Sequence, residues 1–228
     1  MKKYVFSFTN FWVTLVSFII LIAALVLYFI TGLQIASANA KRSDLVKYSS
    51  LYASSFAYSQ SELKAFAETA DGEHYIKYSD TVADSGDFSV SRKMLDSIGL
   101  TKSEKEILKE FDSSYKEHIE AVNKQASEAA LKNSDYNAAK SVLSAKDYID
   151  YSSYGYVCLD TLSDTVYNRM TDTLNSLDIR QNIITVCILV LALLFAVLTF
   201  FTYKRIKALA PMIKNDFLDS DNDQDNQE

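Results

Sequence analysis

The chain has 228 residues, 49% of them apolar, a formal net charge of −6, five glycines and one proline. A mildly acidic balance argues against a nucleic-acid binder, which needs a basic stripe. Scarce Pro and Gly argue against a β-sandwich, which turns about every 8–12 residues.

Residues 1–10 carry Lys2 and Lys3, and residues 11–33 then contain no Asp, Glu, Lys, Arg or His. That run exceeds the roughly 18–20 residues a helix needs to cross a hydrocarbon core of about 30 Å. Residues 182–203 form a second such segment, uncharged throughout and followed at once by Lys204, Arg205 and Lys207. Basic residues at the outer ends of both runs place both termini in the cytoplasm, because Lys and Arg near a membrane end mark the inner side. Residues 34–181 are then an extracytoplasmic domain on a two-pass protein of the cell membrane, in contact with the lipid bilayer. Residues 204–228 form a short cytoplasmic tail, acidic and disordered at its end. Trp12 with Phe8 and Phe11, and Tyr203 with Phe200 and Phe201, suit the aromatic belts of a bilayer interface.

Ala36-Ser37-Ala38 and Ala38-Asn39-Ala40 resemble small-residue cleavage sites. The apolar core of a signal peptide spans about 7–15 residues, however, and this run is longer, so a retained anchor is expected.

Between the runs lie 17 basic and 23 acidic residues and four helical stretches. The first continues from residue 34 towards Ala70, with Leu45, Tyr48, Tyr52, Phe56, Leu63 and Phe66 at helical spacing, and Asp71-Gly72 breaks it. The second is composite, residues 73–83 and 90–98 around Asp84-Ser85-Gly86-Asp87, and ends at Gly99. Thr101 and Glu104 form a capping box for the third, whose stripe is Leu108, Phe111, Tyr115, Ile119, Val122, Ala126 and Ala129. Asn133-Ser134-Asp135 makes the last turn. The fourth helix runs from about Tyr136 through Leu159, Leu162, Val166, Met170, Leu174 and Leu177 into the second apolar run. One stripe per helix and short turns predict an all-α fold, an up-down antiparallel four-helix bundle outside the membrane, flanked by two transmembrane helices.

Chemistry is sparse. Metal-binding helix pairs, paired cysteines, phosphate loops and nucleophile elbows are missing, so no catalytic residue, metal or cofactor is expected and the chain does not read as an enzyme. His74 and His118 stand alone on polar helices as surface histidines. Cys158 and Cys187 lie in different compartments and are not expected to pair, and Cys158 fits a buried thiol. Tyr148, Tyr151, Tyr154 and Tyr156 crowd the fourth helix around Gly155. They either fill core and interface or floor a small-molecule site. Arg169 is the best placed cation for an anionic ligand, although pairing with Asp172 three residues on explains it more simply.

Ser61-Glu62-Leu63-Lys64-Ala65-Phe66-Ala67-Glu68-Thr69-Ala70-Asp71-Gly72-Glu73-His74-Tyr75-Ile76-Lys77-Tyr78 resembles a segment of the four-helix-bundle sensor domains of methyl-accepting chemotaxis receptors. Ile98-Gly99-Leu100-Thr101-Lys102-Ser103-Glu104 resembles the opening of their third helix, and Asp135-Tyr136-Asn137-Ala138-Ala139 that of their fourth. The resemblance covers the domain and both apolar runs. It implies a sensor-type module that signals by helix displacement, with a possible small-molecule ligand. It also implies a homodimer through helices one and four, or a heterodimer with related receptors. Two departures stand out: Ala65-Phe66-Ala67 occupies a segment where the family often carries an arginine, and the likeness to a HAMP relay in Lys204-Arg205-Ile206-Lys207-Ala208-Leu209-Ala210-Pro211 stops at Asp216. The expectation is a receptor relative without the HAMP and cytoplasmic signalling domains, either active alone or decayed. The alternative is a structural or accessory membrane protein whose bundle binds a partner protein without ligand.

Overall fold

A computed structural model of the protein describes residues 2–224, with side chains described for residues 12–205, 207 and 208. Phe8 and Phe11, assigned above to an interfacial belt, and the side chains of the acidic tail lie outside the described residues. Every described element is helical: α1 (Lys2–Thr69), α2 (Gly72–Val82), α3 (Asp87–Ile98), α4 (Lys102–Ser114), a π-helical segment (Tyr115–Glu120), α5 (Ala121–Asn133), α6 (Tyr136–Leu143) and α7 (Lys146–Gln224). The chain divides into two compact units, Met1–Ile35 with Ser176–Glu228, and Ala36–Asn175.

In the first unit two helices are long and apolar enough to cross a membrane. Their large apolar side chains point outward, with Phe29 and Leu193 each 66% exposed. Water would penalise such a surface and lipid would not. The Phe18 and Phe195 rings lie 5.7 Å apart. Hydroxyls on these stretches turn to their own helix: Ser17 donates to the Val13 carbonyl, Thr31 to Leu27, Thr185 to Gln181 and Thr199 to Phe195. The same back-bonding to the carbonyl four residues earlier occurs in the second unit at Thr161, Thr165 and Thr173, so it is a general habit of helical hydroxyls. Helical backbone continues to Gln224, past Asp216, where composition predicts an unstructured tail. Extending an existing helix avoids the cost of nucleation, so propagation wins over local propensity there; residues 225–228 lie outside the described residues.

The second unit has one aromatic-rich core. Leu45, Tyr52, Phe56, Leu63 and Phe66 of α1 are buried together with Leu108, Phe111, Ile119 and Ala126, and with Leu159, Leu162, Val166, Met170 and Leu174 of α7. Tyr52 stacks on Phe88 at 4.7 Å, and Phe56 meets Phe111 edge-on at 5.3 Å. Each such pair contributes about 0.5–1.5 kcal/mol beyond its burial. Gly155 opens room for this cluster. A Cβ there would stand 3.1 Å from Phe56 and 3.2 Å from Phe111, so ring edges make the close approach.

Three local details differ from the sequence reading. The first break is made by Ala70, not Gly72: Ala70 takes φ 60°, and Asp71 caps α2 by accepting from the Glu73 amide. Gly72 is an ordinary first helical residue. The fourth stretch is two helices, α6 and α7, parted at Ser144 and Ala145. The Ser144 amide closes α6 on the Lys140 carbonyl, and the Ala145 carbonyl starts α7 by accepting from Ile149, with Asp147 favouring the new N-terminus. The third stretch widens into the π-helical segment between α4 and α5. By contrast, the Thr101–Glu104 capping box is complete in both directions, and Gly99 ends α3 at φ 95°.

Candidate functional site

Residues of the second unit form one broad groove and two buried polar clusters. The groove, about 470 Å³, lies between α4, the π-helical segment and α7, and is lined by Glu110, Ser114, Glu117, His118, Asp150, Tyr151 and Tyr154. Helical spacing builds it: Glu110, Ser114 and Glu117 recur at steps of four and three on one side, and on the other Tyr154 follows Asp150 by four residues and Tyr151 by three. The His118 ring stacks flat on Tyr151, centroids 3.7 Å apart at 9°. The Tyr154 hydroxyl donates to Glu110. That hydrogen bond to a carboxylate raises the Tyr154 pKa above the usual phenol value, as does the neighbouring Cys158. The Ser114 hydroxyl oxygen is buried without a hydrogen-bond partner.

The first cluster ties three helices through Tyr148. Its hydroxyl lies against Asn123 Oδ1 at 2.7 Å and against Gln60 Oε1. Asn123 is fully buried, and burial pushes the Tyr148 phenol up. Tyr148 also borders a smaller pocket of about 210 Å³ with Gln60, Lys64, Leu143, Ser152 and Tyr156.

The second cluster is an ion pair. Arg169 Nε donates to Glu104 Oε1 at 2.7 Å and Nη2 to Oε2 at 3.1 Å. The Thr101 amide donates to the same Oε2 at 2.7 Å. Glu104 is fully buried. Burial raises its pKa, but the hydrogen bonds from Arg169 and Thr101 outweigh burial and leave the carboxyl below the usual range. The expected pairing of Arg169 with Asp172 is therefore overturned. A guanidinium fork matches a carboxylate bidentately, and Glu104, desolvated by the fold, needs that partner far more than the exposed Asp172 does.

The four sequence-predicted residues thus separate. Tyr151 and Tyr154 meet on the groove, Tyr148 is a core residue with committed hydrogen bonds, and Arg169 is committed to Glu104. Arg169 also sits roughly 22 Å along α7 from Tyr154, at 1.5 Å per residue. Sequence reasoning missed Glu110, Ser114, Glu117, Asp150 and the part played by His118. No motif or spacing in the sequence marks them, because they come together only across separate helices. It also missed the network in which Tyr52 donates to Asp112 Oδ1 (3.1 Å) and Arg92 donates to Asp112 Oδ2 (2.7 and 2.9 Å). Among the described residues no group of three or more His, Cys, Asp or Glu is arranged to hold a metal ion. No family model, no curated protein and no solved structure matches the chain.

Proposed function

We propose that this is a two-pass membrane protein whose extracytoplasmic unit is a sensor-type module like the input domains of chemotaxis receptors. One observation carries the reading: α1 and α7 each combine, in one helix, a stretch apolar enough to cross a membrane and a stretch that forms the core of the second unit. Side-chain pairings support an up-down antiparallel bundle. Going up α1, Tyr52, Gln60 and Phe66 meet in turn Asp112, Tyr148 and Tyr136. Phe66 also meets Tyr75, while Tyr52 meets Phe88, so α2 and α3 descend as α1 rises. Both termini lie in the cytoplasm in this reading, by the flanking basic residues.

Signalling then consists of small displacements of α7, since a helix without a break transmits axial movement. The functional assembly is a homodimer through α1 and α7, or a heterodimer with related receptors. Arg169 cannot serve an anionic ligand without abandoning Glu104, so a ligand role falls to the groove. The accessory-protein alternative draws on exposed Tyr58, Val157 and Tyr167, which suit a protein partner as well.

Disulfide crosslinking of single cysteines along α1, in a Cys158→Ser, Cys187→Ser background in native membranes, tests the assembly. A ladder with helical period in the chain alone supports the receptor-like homodimer. Crosslinks formed only with full-length receptors support a modulator of those receptors. No periodic ladder in either case overturns the sensor reading and leaves the accessory protein.

A further inference from the structure

We propose that the groove between α4, the π-helical segment and α7 binds a small organic cation carrying a primary or quaternary ammonium group. The groove, about 470 Å³, is open to solvent, so it suits a small ion that stays partly hydrated rather than a ligand that must be enclosed. Its chemistry is one-sided. Glu110, Glu117 and Asp150 line it, and no lysine or arginine does. Glu110 already accepts from Tyr154 and Asp150 pairs with Lys146, so Glu117 is the carboxylate most open to a cation. Asp150 becomes available once Lys146 gives way, and an anionic ligand is disfavoured by all three carboxylates.

The aromatic content narrows the class further. Tyr151 and Tyr154 remain 36% and 39% exposed although both belong to the wall. Aromatic faces attract ammonium groups through their quadrupole, and several carboxylate and aromatic groups together are the recurrent way to hold one. Tyr154 is already oriented by its hydrogen bond to Glu110, and Tyr151 by the His118 stack, which covers one of its faces and leaves only the other for a cation, so little side-chain freedom is lost on binding. The protein also supplies its own sample of the ligand chemistry: the Lys146 ammonium, on the exposed first residue of α7, pairs with Asp150. Finally, one wall is the π-helical segment carrying Glu117 and His118, and such wide turns concentrate at functional sites.

The inference deepens the sensor reading and rests on it for its physiological meaning, whereas binding itself belongs to the groove alone. The experiment is isothermal titration of the full chain in lipid nanodiscs with tetramethylammonium and with 1,4-diaminobutane, at constant ionic strength. Expected is saturable binding of at least one of them with a Kd of about 1 mM or tighter. Tyr151→Leu and Glu117→Gln should each weaken it about tenfold, in line with the worth of a partly desolvated cation–π contact or charge pair. Lys146→Ala removes the internal competitor at Asp150 and should tighten binding several-fold, an effect that mere structural damage would not produce. Lys64→Ala, on the smaller pocket, should leave the affinity unchanged. Absence of saturable heat for both cations up to about 10 mM, or binding indifferent to Tyr151→Leu and Glu117→Gln with helicity intact, overturns the proposal. A periodic α1 crosslinking ladder without cation binding would refute the ligand and leave the sensor assembly standing. Binding without a ladder would do the reverse.

Discussion

Replacing Arg169 by Met keeps most of the side-chain volume and removes the guanidinium that meets both Glu104 oxygens. Removing one partner of a buried pair costs about 3–5 kcal/mol. Two features reduce that here: the Arg169 side chain is 29% exposed, and Glu104 keeps the Thr101 amide at 2.7 Å. A loss of about 2–3 kcal/mol at pH 7 is expected after that discount. The pH dependence provides a second handle. In the wild type the Glu104 pKa is lowered by folding, so its contribution is present above the unfolded carboxyl value and fades as pH falls through the folded value. Without Arg169, desolvation dominates and the folded pKa rises above the unfolded one. The variant should then regain stability as pH drops towards 4, and the gap to wild type should shrink. Urea denaturation of the second unit, in micelles that keep the apolar helices folded, measures this at pH 7, 5 and 4. A Glu104→Gln, Arg169→Met double variant should recover part of the loss. A loss under about 1 kcal/mol at pH 7, or a gap that stays constant with pH, would refute the reasoning that Glu104 is a charged, desolvated group held by Arg169.

Ala70 occupies the left-handed region at φ 60°, where a Cβ costs about 1–2 kcal/mol; Ala70→Gly should therefore raise stability by about 1 kcal/mol, read from the urea midpoint. Gly155→Ala sets helix propensity against crowding. Propensity alone predicts a gain of up to about 1 kcal/mol, but a Cβ at 3.1–3.2 Å from two fully buried rings should turn it into a net loss of about 1 kcal/mol. Burial pushes the Cys158 thiol up, so at pH 7 it should react with a soluble maleimide far more slowly than a free thiol. Urea should restore the rate; fast labelling in the folded protein would place Cys158 on the surface instead.

Apolar patterning determined much of this protein before any tertiary contact was considered. Two uncharged runs longer than a bilayer core is thick specify helices that lipid tolerates. The stripes through Leu45, Tyr52 and Phe56, through Leu108, Phe111 and Ile119, and through Leu159, Leu162 and Val166 specify which faces are buried, because a helical period is set by local backbone geometry. The capping box at Thr101 and the stop at Gly99 are equally local and equally legible. Partner choice is not local. Arg169 has Asp172 within reach along its own helix, and only the packing of α4 on α7 brings a desolvated Glu104 to it from 65 residues away. The groove has the same origin: carboxylates and tyrosines on separate helices become one site only when the two helices are laid together. Backbone exceptions also belong to the fold, since Ala70 accepts a left-handed conformation, and Tyr115–Glu120 a π-helical one, that no isolated segment of that sequence would prefer.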